Sequence, residues 1–109
     1  MNQDRVLSSL SLCKKAGLLA CGELQVEEAV KSGKGQLVIL AADAGGRVKK
    51  DVTDMCNCYQ VEIREYGTRD SLGQVTGKGY LSQVCVTDKK FSESITQKME
   101  VSNGKNEDS

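Results

Sequence analysis

Apolar positions change their period several times along this chain, and each change marks an element. Val6, Leu10 and Cys13, with Leu7 beside them, keep a helical spacing and predict a helix over 3–16. Lys14, Lys15 and Ala16 lead into Gly17, which suits a helix C-cap. The short apolar stretch Leu18-Leu19-Ala20 predicts a strand. Val26, Ala29, Val30 and Gly33 fall at i, i+3, i+4 and i+7, so a second helix spans roughly 23–32. The unbroken run Leu37 to Ala42 reads as a strand covered on both faces.

The second half repeats the alternation. Val48, Val52, Met55, Cys56 and Tyr59 fit a third helix. Val61 and Ile63 alternate with Glu62 and Arg64, as in a strand nearer a sheet edge. Thr68 can N-cap a short helix containing Leu72 and Val75, and Gly77-Lys78-Gly79 forms a loop after it. Val84-Cys85-Val86 reads as another central strand. Phe91, Ile95 and Met99 mark a last helix that Asp88 can cap. Near-strict alternation of helix and strand predicts an α/β fold, a three-layer α/β/α sandwich around a small mixed four-stranded sheet. With no repeat, linker or proline, the expectation is one domain over 1–100. A polar, disordered tail is expected at 101–109.

Composition narrows the class. A chain of 109 residues with 39% hydrophobic content supports one modest core. That core rests on Val, Leu, Ile and Ala, because there is no Trp and one Phe. The apolar runs fall short of the ~20 residues needed to cross a bilayer, and no basic and apolar signal segment precedes the first helix. A cytoplasmic location follows as the expectation. The five cysteines are odd in number and form no disulfide framework, so free, buried thiols in a reducing compartment are expected.

Net charge is zero, but its distribution is uneven. Residues 1–50 hold 8 Lys/Arg against 5 Asp/Glu, and residues 51–109 hold 7 against 10. The basic excess lies in the half that carries the helix at 23–32.

Catalytic vocabulary is thin. No histidine is present, which removes the usual general base, the usual partner of a Cys or Ser nucleophile and the commonest metal ligand. Cys56-Asn57-Cys58 lacks zinc spacing and has no second pair. On a helix, Cys56 would face the core and Cys58 would face away. Gly73-Gln74-Val75-Thr76-Gly77-Lys78-Gly79 is a near miss to a phosphate-binding P-loop. It has three residues between its glycines instead of four, and Gly79 stands where a hydroxyl is needed. A helix C-cap glycine followed by a loop is the simpler reading. Asp43, at a strand end, has no visible acid–base partner, so a loop or capping role suits it better. Neither an enzyme nor a metal or other cofactor is expected.

The helix at 23–32 is the exception. It opens on Gly22, so bare N–H groups and a positive dipole end meet the surface, as an anion or a nucleobase edge requires. Its core face is Val26, Ala29 and Val30. Leu24 lies opposite with Glu27, Glu28 and Lys31, either as a local packing residue or as a contact surface.

Several separate segments share a further pattern. They are Lys15-Ala16-Gly17-Leu18-Leu19, Gly22-Glu23, Ala29-Val30-Lys31-Ser32-Gly33-Lys34, and the strand from Leu37 to Asp43-Ala44. Lys49-Lys50, Asp54-Met55-Cys56, Leu72-Gly73, Gly77-Lys78 and Val84-Cys85-Val86-Thr87-Asp88 continue it. In order and spacing over roughly residues 4–90 the chain resembles the kink-turn RNA-binding ribosomal protein superfamily, and most of all its small bacterial YlxQ-type members. The resemblance implies that the glycine-led helix start docks into a sharply bent duplex at tandem G·A pairs. Side chains two and three residues after the glycine, here Leu24 and Gln25, would read base edges. The loop before the last strand, here Gly79, Tyr80, Leu81 and Ser82, would pack on an extruded nucleotide.

The RNA-binding residues so implied are Lys15, Cys21, Gly22, Glu23, Leu24, Gln25, Lys34, Asp43, Ala44, Lys78, Gly79, Tyr80, Leu81 and Ser82. The chain departs from the family pattern where many members carry Asn or Lys and it has Leu24. It departs again at Cys21 and Glu28, where a basic residue is common. Glu23, Glu27 and Glu28 raise the cost of approaching phosphates, which Lys15, Lys31, Lys34 and Lys78 offset in part. The expected function is non-enzymatic binding of bent or kink-turn-like RNA by a monomer, in the context of the ribosome or translation. The alternative is a protein-interaction module on the same fold, with base recognition lost.

Overall fold

A computed structural model describes the backbone of residues 4–108 and the side chains of residues 4–100. Helix α1 (Arg5–Lys15) starts where the Asp4 carboxylate accepts from the Leu7 N–H at 3.0 Å, and it buries Val6, Leu10 and Cys13. Strand β1 (Leu19–Cys21) and helix α2 (Glu23–Lys31) follow, then β2 (Leu37–Leu40) and α3 (Gly46–Tyr59). The chain continues with β3 (Glu62–Glu65), α4 (Arg69–Thr76), β4 (Gln83–Val86) and α5 (Lys89–Asp108). The tail expected at 101–109 lies beyond the described side chains, although helical backbone runs through most of it.

The four strands form one sheet in the order β1-β4-β2-β3. β4 runs antiparallel to both β1 and β2, and β2 pairs parallel with β3. The sheet is therefore mixed. Every residue of β2 and of β4 is buried, as two covered faces require, while β3 is half exposed on the edge. α2 and α3 pack against each other and the sheet, and α1, α4 and α5 form the second helical group. β2 stops at Leu40, two residues before its apolar run ends. Beyond it the Ala41 N–H bonds the Ser82 carbonyl, and the exposed Ala42 turns its N–H to Gly67.

The helix boundaries follow local chemistry. Thr68 and Ser71 form a reciprocal capping box at the start of α4, and Gly77 closes that helix at φ 76°. Asp88 caps the start of α5 by accepting from the Phe91 N–H at 2.9 Å. The near miss to a P-loop resolves as this helix end and its loop. Gly73 also has a packing role there. A Cβ on Gly73 would lie 2.2 Å from the Gly79 carbonyl carbon and 2.2 Å from the Tyr80 nitrogen, so α4 and the loop touch backbone to backbone.

All five cysteines are free, with Cys58 exposed and the others buried. Burial pushes the thiols of Cys13 and Cys56 up to about 11 and that of Cys85 to about 12. A thiol kept neutral by the fold, yet ionising near 9.0 once unfolded, adds stability that is complete below that pH. That stability is lost as the pH climbs toward the folded values.

Gly73→Ala should lower the unfolding free energy by about 3 kcal/mol in a denaturant titration, because only backbone can give way. Gly46→Ala, at a helical position with open space, should raise it by about 0.5 kcal/mol. A thiol-disulfide reagent at pH 8 should label Cys58 rapidly in the native protein and all five cysteines after unfolding. Stability should decline between pH 9 and 12.

Candidate nucleic-acid interface

β1 and β2 end, and antiparallel β4 begins, at the same end of the sheet. Backbone bonds continue past the strands there. The Gly22 N–H donates to the Gln83 carbonyl at 3.2 Å, and the Ala41 N–H to the Ser82 carbonyl at 2.8 Å. β3, parallel to β2, ends there too, so four connections, β1–α2, β2–α3, β3–α4 and α4–β4, meet at one end of the molecule.

At the start of α2, Gly22 adopts φ 93°, ψ 165°, a conformation that side-chain-bearing residues rarely take. Space is not the reason for glycine, since a Cβ would meet only Leu81 Cδ1, at 3.9 Å. The Val26 N–H returns to the Gly22 carbonyl, and the cap residue offers no side chain. The N–H groups of Glu23, Leu24 and Gln25 thus have no partner within the helix. Gln25 turns its side-chain oxygen back to the Cys21 N–H at 3.0 Å. That bond fixes the Gln25 side chain and leaves its amide NH₂ free to donate. Leu24 is 80% exposed.

α3 also begins at this end, after Gly45, which makes no side-chain cap. Two helix starts without side-chain caps lie side by side with their positive dipole ends facing the same way. Arg47, in the first turn of α3, has a 93% exposed side chain, only loosely paired with Asp51 at 3.9 Å. Burial raises the Cys21 thiol, while the Lys14 and Lys78 ammonium groups pull it down, so both cations lie within electrostatic reach of Cys21, the last residue of β1.

The α4–β4 loop carries Tyr80, 58% exposed, with the Arg69 guanidinium 5.1 Å from its ring centroid. Asp43 accepts from the Arg69 backbone N–H at 2.8 Å and lies 3.6 Å from its Nε. The Leu81 N–H donates to the Arg69 carbonyl at 3.0 Å. Arg69 therefore ties the end of β2 to the loop and holds one face of the Tyr80 ring.

Most residues implied by the sequence meet here: Cys21, Gly22, Glu23, Leu24, Gln25, Asp43, Ala44 and the stretch Lys78 to Ser82. Their exposure separates their roles. Cys21, Ala44 and Leu81 are buried and support the surface from below. Lys34 does not join the cluster. It follows the far end of α2, about 13 Å along that helix from Gly22, whereas Lys15 ends α1 next to Lys14. The cations at this end include Lys14, Lys78, Arg47 and Arg69, with Lys49 held by Glu65 at 3.5 Å. Arg69 was legible after the fact, because a cation at the first position of a helix opposes the dipole and needs a carboxylate nearby.

These features define a small α/β/α recognition module whose open end suits an anionic, base-bearing ligand. The model of the ribosomal protein L7Ae/L30e/S12e/Gadd45 family matches residues 4–96, and the chain belongs to that family. Among its relatives is the RNA-binding protein YlxQ of Bacillus subtilis (strain 168), 34% identical over 86 residues, 79% of this chain and 86% of that protein. YlxQ of Enterococcus faecium, also called an RNA-binding protein, is 29% identical over 77 residues, 71% of this chain and 75% of that one. A solved structure of a protein of unknown function from Bacillus halodurans superposes with a TM-score of 0.85 at 37% identity. It covers 90% of this chain and 99% of that chain. The Giardia lamblia 15.5kD RNA binding protein shares the fold, with a TM-score of 0.74 at 17% identity over 90% of this chain and 87% of its own.

Arg69→Met should free the Tyr80 loop. Amide hydrogen exchange over 78–82 should quicken, and stability should fall by ~1 kcal/mol, the scale of one cation–π contact plus one partly exposed ion pair. Unchanged exchange would remove Arg69 from the support of this loop.

Proposed function

We propose that this protein is a non-enzymatic RNA-binding protein that recognises bent or kink-turn-like RNA, acting in the cytoplasm as a monomer alongside the ribosome or translation factors. The observation that carries the reading is the Gly22-led start of α2 beside Tyr80. Bare N–H donors, an amide NH₂ on Gln25 and an exposed aromatic ring share one end of the sheet. Family membership and the RNA-binding relatives support it.

In this reading the helix starts receive the sugar–phosphate backbone of a bent strand, and glycine permits close approach. An unstacked base lies against the Tyr80 ring, whose other face is held by Arg69. The Gln25 NH₂ donates to a base edge. Few cations stand at this end, so long-range attraction is modest. If three of them (Lys14, Lys78 and Arg47) meet phosphates, log K should fall with log salt at a slope of only about −2 to −3.

Leu24 favours a second reading, a protein-interaction module. An apolar side chain 80% exposed, with Glu23, Glu27 and Glu28 nearby, also suits a protein surface.

Titration with a kink-turn RNA, and with a version whose G·A pairs are replaced, separates the two readings. RNA recognition predicts at least tenfold preference for the intact kink-turn; equal binding would end the structure-specific reading. No binding at low salt would favour the protein module. Leu24→Asn should leave stability nearly unchanged and tighten kink-turn binding by ~1–2 kcal/mol, since it restores a base-edge hydrogen-bonding group. Improved binding cannot come from unfolding, and weakened binding would make the apolar side chain itself part of the contact.

A further inference from the structure

Beside the candidate interface, α2 and α3 leave a groove of about 490 Å³ between them. Gln83, the first residue of β4, lines it. Gln83 is 2% exposed, its side-chain amide makes no hydrogen bond with any described residue, and it lines the groove. An amide at the floor of a groove, with little surface left for water, is a ready partner for a polar group of a ligand.

The rest of the groove indicates what would satisfy it. Four carboxylates line it against the single ammonium of Lys31. Lys31 holds Glu27 at 2.6 Å, and Lys50 holds Asp54 at 2.9 Å from outside the groove. Asp51 has only the loose contact with Arg47, and Glu23 has no ion pair among the described residues. Met55 and Tyr59 give the groove an apolar side, and the Tyr59 ring is 45% exposed. A phosphate chain is repelled by this surface. A cation on an apolar stem fits it, with the head group between Glu23 and the Gln83 oxygen and the stem on Met55 and Tyr59.

The geometry points to a docking site for a basic segment of a partner protein, with one Arg or Lys reaching Gln83 and an adjacent apolar side chain on Tyr59. The trough between two neighbouring helices is open and elongated, and charge complementarity selects a cationic peptide. The site is separate from the proposed RNA contact, although Glu23 borders both.

Cys58 lines this groove and is the exposed thiol of the native protein, so its alkylation rate reports occupancy. The probes are a capped hexapeptide of alternating Arg and Leu and its counterpart with Glu in place of Arg. The basic peptide should slow Cys58 alkylation severalfold and shift backbone amides of α2, α3 and Gln83; the acidic peptide should do neither. Gln83→Leu should weaken the basic peptide roughly tenfold, the loss expected for a hydrogen bond to a charged group. Should that variant fail to fold, Asp51→Asn combined with Asp54→Asn tests the same site at exposed positions. It should weaken the peptide without lowering affinity for kink-turn RNA. Unchanged alkylation, equal protection by both peptides, or shifts gathered away from α2 and α3 would overturn the site. Equal protection by benzamidine alone would overturn the peptide as its occupant.

Discussion

The Gly22 N–H reaches the Gln83 carbonyl at 3.2 Å, and the Ala41 N–H reaches the Ser82 carbonyl at 2.8 Å, so β4 is bonded on both flanks at the end where it enters the sheet. Everything at the candidate interface is positioned from there. The bond to Gln83 sets where α2 starts, and hence where its bare donors point. The bond to Ser82 sets how β2 runs into the loop that starts α3. Because β4 is buried on both faces, neither flank can shift without moving core side chains such as Val84 and Val86. The candidate interface therefore rests on a rigid strand, although the surface itself is mostly loop.

The α4–β4 loop is the part that strands do not hold. Two devices replace them. Gly73 removes a side chain so that α4 can touch the backbone at Gly79 and Tyr80. Arg69 reaches from the first turn of the same helix to Asp43 on one side and to the Tyr80 ring on the other. Both work from α4, so that short helix is best understood as the mount for Tyr80. Its capping box resists fraying at the end where Arg69 opposes the dipole.

Most of the fold was legible because burial imposes strong patterns. The β2 and β4 runs announced central strands, and the alternation at Val61 and Ile63 announced an edge. Capping residues such as Thr68 and Asp88 marked helix starts by local chemistry alone. The candidate site was legible only in part. Gly22 stood out because its role is local. Arg69 did not, because its meaning depends on Asp43, 26 residues away. Lys34 carries the right charge, but the length of α2 carries it to the other end. Gln25 was readable as a polar group near a helix start, yet its bond to the Cys21 N–H depends on a turn geometry that sequence does not specify.

Zero net charge conceals a separation of charge that constrains how an anionic ligand can approach. Helix-dipole attraction fades within the first turn, and exposed charges are screened beyond about 8 Å at physiological salt. Attraction at this end is therefore local, coming from the starts of α2 and α3 and from cations such as Lys78 and Arg47. An approach from the flank meets the carboxylates between those helices instead. Repulsion there narrows the possible orientations, as specificity often requires. Glu23 sits on the boundary. In the first turn of α2 its carboxylate stabilises the helix through the dipole, while it opposes a phosphate arriving at the same donors. In a chain that keeps an acid at that position, charge supplies only a small part of the RNA affinity proposed above. On that reading the larger part comes from contacts that work at short range, the glycine-permitted backbone approach and stacking on a held aromatic ring.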